Sequence, residues 1–187
     1  GQEIEFHHAL ELAIRYATAL NVPRVNILAG KQPVDADLLP CLNTLAENLK
    51  LACSMLTQHH IQPVFEMING TDMPRFLVQN IAQAQEMLEA VKHPALKMQY
   101  DCYHMAMMGE DVLSALQENI QDIGHIQFAD NPGRHEPDSG ELDYTTIFKW
   151  LQHSAYSGYV AAEYRPSLAS NQSFAWKDKY FPSNQSG

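Results

Sequence analysis

Positive charge is scarce in this chain: 12 Lys and Arg stand against 22 Asp and Glu in 187 residues, a formal net charge of −10. No stretch gathers Lys or Arg into the basic face that a phosphate backbone requires, which argues against nucleic acid as a partner. Long apolar runs are missing as well, none approaching the roughly 18 residues of a membrane span. The opening GQEIEFHH has no apolar signal-peptide core, so the expected location is the cytoplasm. Cysteine is sparse and odd in number, with Cys41, Cys53 and Cys102 in apolar patterns and no CxxC spacing. Reduced, packed thiols are expected there, without disulfides or a thiolate metal site. Neither GxGxxG nor a Walker loop is present; the first apolar run is followed by Leu28-Ala29-Gly30-Lys31-Gln32.

What is present is enough apolar material, 45% of residues, for one globular domain with its own core, and residues 1–187 are read as that single domain. Phe6, Leu10, Ala13, Ile14 and Ala17 recur at helical steps from the start of the chain, which predicts that further protein precedes it in the natural gene. From Ser170 onward the sequence turns polar, and residues 170–187 are expected to be loosely held.

Between the termini, short apolar runs alternate with longer amphipathic stretches, the pattern of parallel strands joined by helices. Strands are predicted at Arg24–Leu28, Pro63–Phe65, Leu96–Tyr100, Ile123–Phe128 and Tyr159–Ala162. Helices are predicted from Asp35 to Gln58, Met73 to Val91, Asp111 to Ile120 and Tyr144 to His153. Asp35 or Asp37 would cap the first of these, and Pro74 would sit one residue inside the second, where its missing N–H costs nothing. Five such units fit a barrel or an open doubly wound sheet. The absent glycine fingerprint favours the (β/α)8 barrel, of which this chain would supply about five βα units, with its chemistry where the strands end.

Those strand ends are polar. Glu66, Asp101, Gln127 and Glu163 each follow or close a predicted strand, at separations of 35, 26 and 36 residues, about one βα repeat each. Three carboxylates and an amide oxygen suit a hard divalent cation, Mg²⁺ or Mn²⁺, better than Zn²⁺. The alternative for any single carboxylate is a helix cap or a lysine partner. His125 lies two residues before Gln127, so both are expected to point inward. His59 and His60 fall at a helix end, where the dipole suits them. Met105, Met107 and Met108 read as flexible packing beside the mouth.

The segments FEMIN (65–69), YDCYHM (100–105), HIQFADNPGRHEPDSGELDY (125–144) and GYVAAEYRP (158–166) resemble the hydroxypyruvate isomerase family, within the xylose isomerase-like barrels. The resemblance covers residues 2 to about 166. It implies that Glu66, Asp101, Gln127 and Glu163 hold a divalent metal and that the two glutamates act as acid and base. Related ketose epimerases place a histidine and an arginine where this chain has His104 and Arg134, which implies substrate contacts for both. A loop salt bridge to Glu136 or Asp138 is the other reading of Arg134, and backbone satisfaction at a strand end the other reading of His104. His135 beside Arg134 stays open between site and scaffold.

The reaction implied is interconversion of hydroxypyruvate and tartronate semialdehyde through an enediolate, with a small 2-oxo acid as partner. An isomerase of a four-carbon 2-oxo sugar acid or a ketose 3-epimerase would use the same groups. The family's chains run about three βα units further at the N-terminus. Without those units two sheet edges would be exposed, which invites pairing into a homo-oligomer or leaves an inactive remnant that only binds or assembles. A DNA-repair phosphodiesterase shares this barrel type, but it needs histidine-rich zinc clusters and a basic groove, against this composition.

Overall fold

A computed structural model of the chain describes residues 3–182; residues 183–187, the end of the expected loose tail, lie outside the described residues. Two compact units emerge: the residues up to Tyr100 together with Asp122–His125, and Asp101–Gln121 together with the residues from Ile126 on.

In the first unit, helix α1 (Glu3–Ala19) precedes strand β1 (Arg24–Ile27), α2 (Leu38–Thr57), β2 (Gln62–Glu66), α3 (Ile81–Val91) and β3 (Lys97–Asp101), whose last residue begins the second unit. β2 pairs with β1 and with β3, both in parallel, with Asn26 opposite Val64 and Glu66 opposite Gln99. The apolar stripe of α2, Leu45, Leu49, Ala52, Cys53 and Leu56, is buried and packs on β2. A side chain such as Leu49 or Leu56, fully withdrawn from water, contributes about 1.5–3 kcal/mol each.

Two start signals differ from expectation. Asp37 does precede α2, but its side chain makes no capping bond. The helix predicted from Met73 begins only at Ile81, and Pro74 lies in an irregular loop ahead of it. The cause is competing hydrogen bonding. The Asn69 side chain accepts from the Thr71 and Asp72 amides at 3.0 and 2.8 Å, which closes a turn. The next residues are then drawn toward the loop after β1, with Gln32 N donating to Arg75 O and Leu77 N to Gly30 O. Arg75 adopts a left-handed φ of 62° that ends any helical run. Asn80 caps α3 instead, accepting from Gln83 N at 3.0 Å while the Gln83 side chain accepts from Gln79 N at 2.7 Å, a variant of the capping box.

The second unit holds α4 (Cys102–Met107), α5 (Val112–Asn119), a 3₁₀ turn at its end, the latter half of β4 (Ile123–Phe128), α6 (Tyr144–His153), β5 (Val160–Ala162), α7 (Ser170–Ser173) and α8 (Ala175–Tyr180). β4 and β5 pair in parallel, with Gln127 opposite Ala161. Asp111 and Asp143 cap α5 and α6 by accepting from Ser114 N and Thr146 N. Phe128 meets Phe148 edge-on at 5.1 Å and Trp176 at 5.2 Å between ring centroids. Phe148 also contacts Tyr180 and Phe181 at 5.1 and 5.2 Å, so the segment beyond Ser170 docks through aromatic rings. Among the described residues no helix is long and apolar enough to cross a membrane.

All three cysteines are free thiols, with Cys41 partly exposed and Cys53 and Cys102 buried. Burial pushes the Cys53 thiol up to about 11 and the Cys102 thiol well above its ordinary value. Since the thiolate is the nucleophile, native protein at pH 8 should react with a disulfide reagent at Cys41 and leave the two buried thiols unlabelled. Mass spectrometry of labelled peptides checks this, and rapid modification of Cys53 in folded protein would contradict the packing.

Candidate active site

Glu66 closes β2 and is 6% exposed. Its Oε2 accepts from Asn26 Nδ2 on β1 at 2.8 Å and from Gln99 Nε2 on β3 at 3.0 Å. Two neutral amides from the flanking strands thus hold the carboxylate without adding charge. Sequence reasoning missed both amides. Their signal was a polar residue inside each apolar run, RVNIL and LKMQY, in register with or beside β2.

Asp101 ends β3 and is fully buried. As the N-cap of α4 it accepts from Tyr103 N through Oδ1 at 2.8 Å, so the cap reading and the site reading hold for the same residue. Among the described residues its Oδ2 has no hydrogen-bond partner. Around that atom stand Arg134 Nη2 at 3.7 Å and His104 Nε2 at 3.9 Å, both beyond hydrogen-bond length. Burial pushes the Asp101 carboxyl up to about 6, with the Arg134 charge and the Tyr103 amide pulling the other way.

His104 sits on α4 and not at a bare strand end, buried with its ring 5.3 Å from that of Tyr103. Arg134 bridges to Glu163, Nη2 to Oε2 at 3.0 Å, and lies over the Tyr103 ring at 5.0 Å. Its expected loop partners are engaged elsewhere, Glu136 by Ser167 and Asp138 by Lys179 and Tyr180. Glu163 follows β5, with a half-exposed side chain and an amide donating to Phe128 O at 3.0 Å. The second unit therefore gathers Asp101, His104, Arg134 and Glu163. Gln127 and His125 are half-buried on β4, where Ile126 and Phe128 are buried. Glu66 is held in the first unit by its two amides.

A buried carboxylate oxygen without a donor is costly unless something positive completes it. Oxygen donors of this kind fit a divalent cation, and Asp101 Oδ2 is the atom that would bind it.

The description "Xylose isomerase-like TIM barrel" matches residues 2–180. A hydroxypyruvate isomerase of Escherichia coli K12 is 38% identical over 180 residues, covering 96% of this chain and 70% of the relative. A 2-oxo-tetronate isomerase of Cupriavidus necator is 35% identical, covering 96% and 69%. A solved Brucella melitensis structure, described as an AP endonuclease of family 2, superposes with a TM-score of 0.91 at 31% identity, over 96% of this chain and 69% of that one. The chain thus belongs to the xylose isomerase-like TIM barrel family, as a partial (β/α)8 barrel of about five units and an enzyme of the hydroxypyruvate isomerase type.

Proposed function

We propose that the chain interconverts hydroxypyruvate and tartronate semialdehyde (2-hydroxy-3-oxopropanoate), with a divalent cation, Mg²⁺ or Mn²⁺, held by Glu66, Asp101, Gln127 and Glu163. The observation that carries this is the buried Asp101 oxygen without a hydrogen bond, next to an arginine that also pairs with Glu163. The bound ion would supply Lewis acidity at the substrate carbonyl.

The residues do the rest. One glutamate of the pair Glu66 and Glu163 removes a proton from the hydroxymethyl carbon, and a proton is then returned to the neighbouring carbon through an enediolate. Amide donors at Glu66 orient its carboxylate. Arg134, over the Tyr103 ring, has a guanidinium fork matched to the carboxylate of a 2-oxo acid, and exchanges its contact with Glu163 for that group. His104, 3.9 Å from Asp101, donates to a substrate hydroxyl oxygen.

The Cupriavidus relative's name favours a second substrate, the four-carbon 2-oxo acid, for the same groups. The name of the Brucella structure points to DNA, but a chain of net charge −10 offers little counterion surface to a duplex. The test is isomerisation of hydroxypyruvate with Mg²⁺ or Mn²⁺ and with EDTA, beside 2-oxo-tetronate and a ketose. Metal-dependent turnover of hydroxypyruvate supports the reading. Turnover of the longer acid or ketose alone reassigns the substrate, and turnover of none sinks the proposal.

A further inference from the structure

The loops after β4 and β5 are sewn together behind the Arg134–Glu163 pair. Arg165 N donates to Arg134 O at 2.7 Å, and His135 Nδ1 meets Arg165 O at 2.7 Å, a bond that requires the proton on Nδ1. Two residues on, the Glu136 carboxylate accepts from Ser167 through both oxygens, from the amide at 2.9 Å and from the hydroxyl at 2.6 Å. Glu136 is 7% exposed, an unusual position for a carboxylate whose partners at Ser167 are a neutral amide and a hydroxyl. Its β4 loop carries two left-handed non-glycine residues, Arg134 at φ 57° and Asp138 at φ 73°. That backbone persists only where its surroundings hold it.

We propose that Glu136 is a positioning residue: by clamping Ser167 it fixes the backbone of Arg134 against that of Arg165, and so sets the guanidinium of Arg134 at the Glu163 carboxylate. Its catalytic meaning rests on the isomerase reading above. Both residues of the clamp act through the backbones of Arg134 and Arg165. The clamp sits where the chain reverses after each strand, so its loss leaves β4, β5 and the aromatic core intact while Arg134 and Glu163 drift apart.

The test compares Glu136→Ala, Glu136→Gln and Ser167→Ala by steady-state kinetics and by exchange of the Arg165 amide proton, which the clamp protects. Glu136→Ala should lower kcat/KM by about 10- to 100-fold, the range for groups that orient a ligand from behind, and expose the Arg165 amide. Glu136→Gln should restore both, because its amide oxygen accepts from Ser167 N–H and its NH₂ donates to the Ser167 hydroxyl. Ser167→Ala, which keeps the backbone bond, should fall between. A lowered Tm in Glu136→Ala with kcat/KM unchanged would make the role merely structural and overturn the proposal, as would a Glu136→Gln variant no better than Glu136→Ala. Should the unsubstituted chain turn over no 2-oxo acid or ketose, the isomerase reading fails by itself. The Arg165 amide then decides the clamp: exposed in Glu136→Ala it stands, protected it falls.

Discussion

Glu66→Gln and Glu163→Gln are each expected to slow hydroxypyruvate isomerisation by about 10²- to 10⁴-fold, the usual worth of a positioned acid or base. Glutamine keeps the size and one acceptor oxygen, so Asn26 and Gln99 can still donate at position 66. What it removes is the proton acceptor. If the two glutamates hand one proton between adjacent carbons, they work as a unit, and the double variant should be little slower than the worse single one. Additive losses would mean two independent roles, and a single variant within tenfold of the parent rate would remove that glutamate from the proton path. Measured Mn²⁺ affinity separates the two effects, because each substitution also changes a proposed ligand.

The strands were legible because each is a short apolar run, and every one lies within a residue or two of its predicted bounds. α6 matched from Tyr144 to His153 because Asp143 caps it and its apolar residues recur at clean helical steps. Three stretches were not legible. Residues 73–80 carry helix-compatible residues, yet their backbone groups are claimed by Asn69 and by the loop after β1, a competition set at sequence distance. α4 is six residues long, too short for periodicity, and exists because Asp101 turns the strand directly into a helix. α7 and α8 were missed for a similar reason: polar residues mask Trp176, whose partner Phe128 is far away in sequence.

The site shows the same division. Carboxylates at strand ends were visible as a repeat, since a charged residue after an apolar run is an anomaly in composition. The amides that hold Glu66 were not, because Asn26 and Gln99 make sense only once β1, β2 and β3 are laid in register. Nor was the choice of Arg134 partner. Glu136 and Asp138 are nearer in sequence, but Ser167 and Lys179 occupy them and leave Glu163 at 3.0 Å and Asp101 at 3.7 Å as the carboxylates beside it.

Asp101→Asn should raise the stability of metal-free protein at pH 7.5 while weakening Mn²⁺ binding by 100-fold or more, on the order of 10² from the loss of an anionic ligand. The carboxyl titrates at about 6 in the folded chain, above its ordinary 3.8, because burial disfavours the charged form more than Arg134 favours it. For a raised carboxyl the folded state binds the proton more tightly than the unfolded state. Folded stability from this group is therefore greatest below about 4 and is lost as pH rises through about 6, leaving a penalty of about 3 kcal/mol above it. Asparagine keeps the acceptor for Tyr103 N–H and carries no charge to bury. Urea unfolding of parent and variant at pH 4, 6 and 7.5, with EDTA and with Mn²⁺, reads all of this. The two metal-free curves should lie close together near pH 4, separate between about 4 and 6 in favour of the variant and run parallel above 6, and Mn²⁺ should stabilise the parent alone. A variant less stable than the parent at pH 7.5 without metal would mean that the protein already compensates the Asp101 charge. The cation would then not be what this oxygen is arranged to meet.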